Sequence, residues 1–187
     1  NSLKFNGIDN WVKVGRLDLS NFTVEAVIKH NKATDYEKNM VGNGENGGYG
    51  LFSFQNKNGV YVGISKNGDE SPDITYGDKY HTVYSKDIFV ANKVYSLSGS
   101  YNGSVINFFE NNNKTSAKYS ADFNQPERST ILILGADPYY DSAHMVDSGK
   151  DTLFDGEIMS IRIYNRALSE EEVRQNYRVD KIRFKIK

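Results

Sequence analysis

The stretch Val94–Phe109, with the sequence VYSLSGSYNGSVINFF, decides the fold class. Val94–Tyr101 and Val105–Phe109 are rich in strand-forming residues, and Asn102-Gly103 lies between them. A type I′ turn requires positive φ at its two central residues, and asparagine and glycine both tolerate this conformation. The stretch therefore predicts a β-hairpin with a type I′ turn.

The same signal recurs along the chain. Leu51–Phe54 precedes Asn58-Gly59, and Val60–Ile64 follows it, which predicts a second hairpin. Further Asn-Gly pairs begin at positions 6, 43, 46 and 67. Short strands separated by turns, without long alternating helices, predict antiparallel sheets closed into a sandwich.

Two further segments alternate with the period of a strand. Phe22–Ile28 places every second residue, starting with Phe22, on one apolar face. In the second segment one such row is formed by Met159, Ile161 and Ile163.

One short helix is predicted near the C-terminus. Ser169 begins the string Ser-Glu-Glu-Glu, so Ser169 and Glu172 form a capping box. We expect Leu168 to act as a hydrophobic staple before the helix, and Arg166 to pair with a carboxylate. Every residue of this string thus has a folding role, and we expect the helix to span about two turns.

A final strand is predicted over Lys181–Ile186. Its apolar residues Ile182, Phe184 and Ile186 alternate with basic ones. We expect the basic face to meet solvent or to flank an adjoining domain of a larger chain.

Length and composition limit the classes of function that the chain can have. A chain of 187 residues fits one all-β sandwich domain, which we assign to residues 1–187. The absence of cysteine excludes disulfides and Cys-ligated zinc. A net charge of −1 with interspersed charges argues against nucleic-acid partners, and the longest apolar runs are far too short for insertion into a membrane.

Five segments in order resemble one known family. These are Leu3–Val12, Phe22–Ile28, Leu134–Pro138, Phe154–Ile158 and Arg162–Val173, the last of which contains YNRALS. They resemble the laminin G-like, concanavalin A-like lectin and glucanase domains, and they span nearly the whole chain. The resemblance implies a two-sheet antiparallel jelly-roll sandwich, binding of a carbohydrate or protein ligand, and frequently a structural Ca²⁺.

Catalysis is not expected. A retaining glucanase needs two carboxylates about 5 to 5.5 Å apart, and relatives that hydrolyse β-glucans carry them on a strand of the type E-x-D-x-x-E, which this chain lacks. The three histidines, His30, His81 and His144, are scattered without zinc-binding spacing. We therefore predict that the protein is not an enzyme, and a glycoside hydrolase is the least favoured alternative.

Two polar, tyrosine-bearing regions are candidates for a glycan or polysaccharide site. Sugar recognition combines aromatic rings with planar polar side chains, and long loops commonly carry function. The alternative is that these tyrosines only cover the core. The predicted ligand-binding residues are Asn43, Asn46 and Tyr49 in the first region and Asp137, Tyr139, Tyr140 and Asp141 in the second.

A calcium site is a further expectation from the resemblance, which suggests a site that joins the first and last strands. Asn6, Asp9 and Asp155 are the candidate ligands there. A second acidic series comprises Asp137, Asp141, Asp147 and Asp151. Calcium binds six to eight oxygens, and no EF-hand spacing is present.

The leading hypothesis is a non-catalytic carbohydrate-binding module of a bacterial secreted or cell-surface protein. The alternative is a structural or adhesion domain of a phage tail, a capsid or a cell surface, in which the same fold binds host glycans or only protein. The expected location is accordingly extracellular, at the cell surface or on a virion.

Overall fold

Short strands account for most of the chain that the structure describes. The structure is a computed structural model, and it describes residues 1–17, 19–31, 38–42, 49–54, 59–65, 80–85, 90–118, 131–136 and 153–187. The elements, in order, are β1 (Leu3–Asn6), β2 (Val12–Gly15), β3 (Phe22–His30), β4 (Lys38–Gly42), β5 (Tyr49–Phe54), β6 (Gly59–Ser65), β7 (Tyr80–Tyr84), β8 (Val94–Tyr101), β9 (Val105–Glu110), β10 (Asn113–Lys118), β11 (Leu132–Leu134), β12 (Asp155–Tyr164) and α1 (Glu170–Phe184).

The strands form two six-stranded sheets. Sheet 1 has the order β1-β12-β3-β8-β9-β10, and sheet 2 has the order β2-β11-β4-β5-β6-β7. Neighbouring strands within both sheets are antiparallel, and an isolated parallel bridge joins Asn39 to Leu153. The predicted all-β, two-sheet antiparallel sandwich with one C-terminal helix is confirmed.

The core lies between the two sheets. The apolar row that begins at Phe22 in β3 is buried, as its alternation predicts, and it packs with Leu97 and Phe108 of sheet 1. Met40 and Leu51 contribute to the same cluster from sheet 2. Burying each such side chain stabilises the fold by roughly 1.5 to 3 kcal/mol, so aromatic and aliphatic residues hold the sheets together without disulfides.

The segments that carry the family resemblance meet at one end of this core. The rings of Phe5 and Phe154 lie edge to face, with centroids 5.8 Å apart. Gly135 has a φ of 84°, and a Cβ at this position would lie 2.3 Å from the Phe5 ring. A glycine is therefore required here both by the backbone conformation and by the closeness of the ring.

Both predicted hairpins are confirmed, but the expected turn is wrong at Asn102-Gly103. Tyr101 pairs with Ile106, and Gly103 has a φ of 94°, whereas Asn102 does not have positive φ. The side-chain oxygen of Asn102 instead accepts the backbone N–H groups of Ser104 and Val105, at 3.0 and 2.8 Å. Asparagine therefore stabilises the turn through its side chain, and the residue pair alone did not determine the turn type.

The predicted row in β12 is shifted by a β-bulge. The register between β12 and β3 slips between Ile158 and Ser160, so Met159 is the extra residue. Ile158 pairs with Ile28 and is buried, while Ile161 and Ile163 pack on the core as expected. The placement of Met159 in the same row is wrong because one extra residue reverses the alternation.

The predicted final strand is also wrong, because Lys181–Phe184 continue the helix. α1 has 15 residues, which is about four turns instead of two. Lys181 and Arg183 favour helix, and these basic residues in the last turn suit the helix dipole. The helix ends at Lys185, whose φ is 54°, and the Ile186 N–H donates to the Lys181 carbonyl at 3.1 Å.

Candidate ligand-binding face

The two sheets have outer faces of different character, and the first is covered by α1. Apart from the buried Val27, the buried outward residues of β3 and β8 are small or polar: Thr23, Glu25, Ser96, Ser98 and Ser100. We call this set, together with Arg162 and Asp180, the helix-covered face. Small residues let the helix approach the sheet closely, so this face has no room for a ligand.

A buried ion network joins the helix to the sheet. Arg162 of β12 donates from Nε to Glu25 Oε2 at 2.8 Å and from Nη1 to Asp180 Oδ1 at 3.0 Å. Asn176 Nδ2 also donates to Glu25 Oε2, at 2.9 Å. Burial raises the pKa of the Glu25 carboxyl, and the nearby Arg162 guanidinium opposes this effect. Both carboxylates are thus engaged in holding the helix.

The start of the helix has the architecture that the sequence predicts. The Glu172 N–H donates to Ser169 Oγ at 3.2 Å, and the Ser169 N–H donates to Glu172 Oε2 at 2.8 Å, which completes the capping box. Arg166 Nη1 donates to Glu172 Oε2 at 2.9 Å, and Leu168 packs against Phe109 and Val173. The string from Arg166 to Glu172 therefore stabilises the fold, as expected.

The outer face of sheet 2 follows from the register of β4–β7. Leu51 and Val83 are buried in the core, so the alternate positions of their strands face away from it. Two cross-strand rows occupy these outward positions, one of polar and aromatic residues and one mainly of glycines. The first row is Asn39, Phe52, Tyr61 and Tyr84, and the second is Gly42, Gly50, Gly63 and Thr82.

We call these eight residues the glycine–aromatic face. Each row crosses four strands and is about 14 Å long, since neighbouring strands lie about 4.8 Å apart. Aromatic rings offer flat apolar surface with, for tyrosine, a polar hydroxyl, whereas Gly42 and Gly50 of the second row are buried. Such a surface suits a flat ligand that carries many hydroxyl groups.

The exposure of this face changes from β4 to β7. Thr82 and Tyr84 of β7 are half-buried, and Asn39 of β4 is completely buried. Within the part of the chain that the structure describes, neither Nδ2 nor Oδ1 of Asn39 has a hydrogen-bond partner. Burying an amide without hydrogen-bond partners costs free energy of folding, so Asn39 is a destabilising position at the β4 end of the face.

The residues that the sequence singled out for ligand binding fall mostly outside the described residues. Tyr49 begins β5 and shares the core-facing register of Leu51. Gly42, the last residue of β4, directly precedes Asn43. Ala136 directly precedes Asp137, and its neighbour Gly135 donates its N–H to the Met40 carbonyl of β4. The residues outside the description are Asn43, Asn46, Asp137, Tyr139, Tyr140 and Asp141.

The predicted calcium ligands lie close together, and the hydrogen bonds of Asn6 stabilise the turn that follows β1. Asn6 pairs with Asp155 in the β1–β12 ladder, and Asn6 Nδ2 donates to Asp9 Oδ1 at 2.9 Å. The Asn6 amide oxygen accepts the backbone N–H groups of Ile8, Asp9 and Asn10, and Asn31 Nδ2 donates to Asp155 Oδ1 at 2.8 Å. With its amide oxygen so engaged, Asn6 does not fit the role of a calcium ligand in this arrangement.

No group of three or more acidic, histidine or cysteine residues in the described part of the chain is placed to hold a metal. The second acidic series, at positions 137, 141, 147 and 151, lies outside the described residues. Calcium therefore stays a prediction, which a melting temperature measured with calcium and with chelator would check.

Comparison with protein families then identifies the chain. The family model described as the concanavalin A-like lectin/glucanases superfamily matches residues 6–174. The chain belongs to this superfamily. A search of curated proteins found no match. The resemblance inferred from the motifs is confirmed.

Solved structures share the fold at low sequence identity. The CBM40 of the Ruminococcus gnavus IT-sialidase, solved bound to α2,3-sialyllactose, has a TM-score of 0.69 at 11% identity, covering 94% of this chain and 96% of that one. Domain 4 of the arabinanase AbnA from Geobacillus stearothermophilus, solved with arabinotriose, has a TM-score of 0.68 at 14% identity, covering 93% and 75%. A SAP-like pentraxin from Limulus polyphemus has a TM-score of 0.67 at 11% identity, covering 91% and 78%.

Proposed function

We propose that this domain is a non-catalytic carbohydrate-binding module whose ligand binds the glycine–aromatic face. The observation that carries the proposal is the pair of rows on β4–β7, which places aromatic residues on three adjacent strands beside three glycines. The opposite outer face is closed by α1, whereas Thr82 and Tyr84 at the β7 end of the glycine–aromatic face are half-buried.

The chemistry of the face matches a sugar. Pyranose rings have apolar faces that pack on aromatic rings, and their hydroxyls require donors and acceptors at the same time. Thr82 and the Tyr84 hydroxyl, on half-buried side chains, supply both kinds of group. Ligand sites are in general apolar surfaces with a few placed polar groups, and this combination has that composition.

Two buried carboxylates are held by the fold and not placed for hydrolysis. A glycosidase needs one carboxyl as a proton donor and a second as a nucleophile or base. Glu25 and Asp180 are buried, and both are hydrogen-bonded to Arg162 beneath the helix. They are therefore unsuited to act on a substrate. Similar folds whose structures contain sialyllactose or arabinotriose support sugar as the ligand class.

A glycan array tests the proposal. The intact chain is expected to give positive spots, and the variant Tyr61→Ala/Tyr84→Ala is expected to lose them. The variant Tyr139→Ala/Tyr140→Ala tests the loop hypothesis on the same array, and unchanged spots would remove that hypothesis. An array without any positive spot for the intact chain would contradict the proposed function and favour the structural or adhesion alternative.

The cellular setting stays a prediction. We propose a bacterial secreted or cell-surface protein as the context, with a virion as the alternative. α1 is too short and too polar to span a bilayer, and it is the helix within the part of the chain that the structure describes.

A further inference from the structure

The last turns of α1 and the residues that follow them carry a concentration of positive charge. Residues 178–187, with the sequence RVDKIRFKIK, contain five basic residues and one acidic residue, whereas the whole chain has a net charge of −1. The acidic residue, Asp180, is buried and accepts a hydrogen bond from Arg162, so it is not a surface charge. The five basic residues are exposed: Arg178, Lys181, Arg183, Lys185 and Lys187. We call these five, together with the exposed Val179 and Ile182, the basic helix end.

None of the five cations is paired with a carboxylate among the described residues. The ion pairs of α1 lie in its first two turns or at Asp180, and none of them includes a residue of the basic helix end. The helix dipole favours cations within the last turn, but it does not account for Arg178 before that turn or for Lys187 beyond the C-cap. The charge of the basic helix end is therefore available to an anionic partner.

Two apolar side chains project from the middle of this positive surface. Ile182 lies nine residues, or about two and a half turns, after the buried Val173, so it projects from the side of α1 opposite the sheet. It is 82% exposed, and Val179, three residues before it, is 57% exposed. Apolar residues ringed by lysine and arginine are typical of a helix that lies on an anionic and partly apolar surface.

The segment after the helix is held against the domain. Ile186 is buried, and its N–H donates to the Lys181 carbonyl at 3.1 Å. This anchor keeps Lys185 and Lys187 beside the last helical turn instead of on a free tail. The basic helix end is thus preformed, which lowers the entropic cost of binding a partner.

A phospholipid surface matches both features of the basic helix end. Anionic headgroups attract clusters of lysine and arginine, and the boundary with the acyl chains accepts apolar side chains. The long stems of lysine and arginine let their charges stay among the headgroups while Ile182 lies deeper. An acidic polysaccharide pairs with cations but offers little apolar surface to Ile182, and a protein partner needs a groove that fits this convex helix. We propose that the basic helix end docks the domain peripherally on an anionic phospholipid surface.

This docking goes beyond the proposed glycan site and does not depend on it. α1 covers the outer face of sheet 1, so a domain docked through α1 has sheet 2 on the side away from the lipid. The basic helix end and the glycine–aromatic face therefore lie on opposite sides of the sandwich and can be tested separately.

Vesicle sedimentation tests the proposal on the intact chain. One set of vesicles is pure phosphatidylcholine, and the other contains about 30% phosphatidylglycerol, which gives the surface a negative potential. We expect binding to the anionic vesicles to be at least about tenfold tighter than to the neutral ones. We also expect it to weaken by at least about tenfold between about 50 mM and about 500 mM salt, because salt screens the headgroup charge.

Two paired variants test whether the basic helix end carries this binding. Arg178→Gln/Lys187→Gln removes two cations outside the last helical turn and is expected to weaken binding to anionic vesicles by at least about tenfold. Lys93→Gln/Lys118→Gln removes the same charge from two exposed lysines outside the helix and is expected to change binding by less than about threefold. A circular dichroism melt of each variant confirms that it is folded.

A third variant tests the apolar contact at constant charge. Ile182→Ser is expected to weaken binding to the anionic vesicles by at least about threefold, because its side chain no longer gains from leaving water. Unchanged binding in a folded Ile182→Ser variant would overturn the lipid contact and indicate charge pairing alone, as with a soluble polyanion.

The remaining outcomes separate this proposal from the glycan site. Equal binding to neutral and anionic vesicles, or equal losses in the two paired variants, would overturn the assignment to the basic helix end. No binding to either kind of vesicle would overturn lipid docking and favour a protein partner, and a positive glycan array would still support the proposed function. Vesicle binding by a chain that gives no positive spot on the array would instead contradict the proposed function alone.

Discussion

The outer faces of the two sheets differ, because one is covered by α1 and the other is the face that we propose for ligand binding. On the helix-covered face, serines and Thr23 lie under α1, and Arg162 is bound to two buried carboxylates. On the glycine–aromatic face, the same pleated geometry presents glycines beside aromatic residues, without charge and without a helix above β4–β7 in the described residues. The comparison predicts that substitutions on the first face change stability, and that substitutions on the second change binding.

The largest expected effect is on the helix-covered face. Arg162→Met leaves Glu25 and Asp180 buried without their common partner, and we expect it to lower the free energy of unfolding by about 3 to 5 kcal/mol. Urea denaturation measures this loss. Arg166→Met is the matched control, because Arg166 contacts Glu172 on the exposed surface, where such pairs contribute at most about 1 kcal/mol. Equal losses in the two variants would contradict the stabilising role of the buried network.

A substitution on the glycine–aromatic face is expected to weaken glycan binding and to leave stability nearly unchanged. Gly63→Val fills an outward position between Gly50 and Thr82 with a residue that favours strands. We expect glycan affinity to fall by at least about tenfold while the unfolding free energy changes by less than about 1 kcal/mol. Calorimetric titration and urea denaturation measure the two quantities. A variant that binds as tightly as the intact chain would show that the ligand does not approach the glycine row.

A smaller effect is expected where α1 begins. Ser169→Ala removes the side-chain acceptor of the Glu172 N–H, and we expect it to cost about 1 kcal/mol of unfolding free energy. Ser169→Asp keeps an acceptor at the N-cap and is expected to restore most of the loss. Because the helix lies on the other side of the sandwich, both variants should bind glycan as the intact chain does. A change in affinity would indicate that the two faces are coupled.

The smallest expected effect is on the stability of the protein at low pH. The hydrogen bond from Arg166, followed by the one from the Ser169 backbone, lowers the pKa of Glu172 from 4.5 to about 2. Its stabilising contribution is therefore complete above about pH 5 and is lost as pH falls towards 2. Glu172→Gln lacks this titration, so the stability difference between the two proteins should shrink over that range. Comparing the two removes the opposite contribution of Glu25, and a difference that stays constant would contradict the assignment.

Local sequence patterns predicted the sandwich well but not its irregular positions. The hairpins, the β3 row and the Ser169 cap follow from residues near one another in the chain. The bulge at Met159 and the continuation of α1 through Lys181–Phe184 depend on register with β3 and on packing over sheet 1. Apolar runs as short as three alternating residues fit a strand and a helix end equally well.

The glycine–aromatic face was not predictable for a related reason. β5 and β6 carry aromatic or apolar residues at both parities, as Leu51 beside Phe52 and Tyr61 beside Val62 show. Alternation alone therefore cannot say which set faces out. The cross-strand pairing decides it, since Tyr61 lies between Phe52 and Tyr84 only in the observed register. Asn39 had no signal of its own in the sequence, because what sets it apart is burial without a hydrogen-bond partner among the described residues.

The most direct test of the central claim compares glycan affinities of folded variants of the two faces. Using the strongest glycan from the array, calorimetric titration is carried out on the intact chain, on Tyr61→Ala/Tyr84→Ala and on Ile182→Ser, which alters the exposed side of α1. We expect the tyrosine variant to lose at least about tenfold in affinity and the helix variant to bind like the intact chain. Undiminished affinity in a folded Tyr61→Ala/Tyr84→Ala variant would contradict the assignment of the glycine–aromatic face as the binding site.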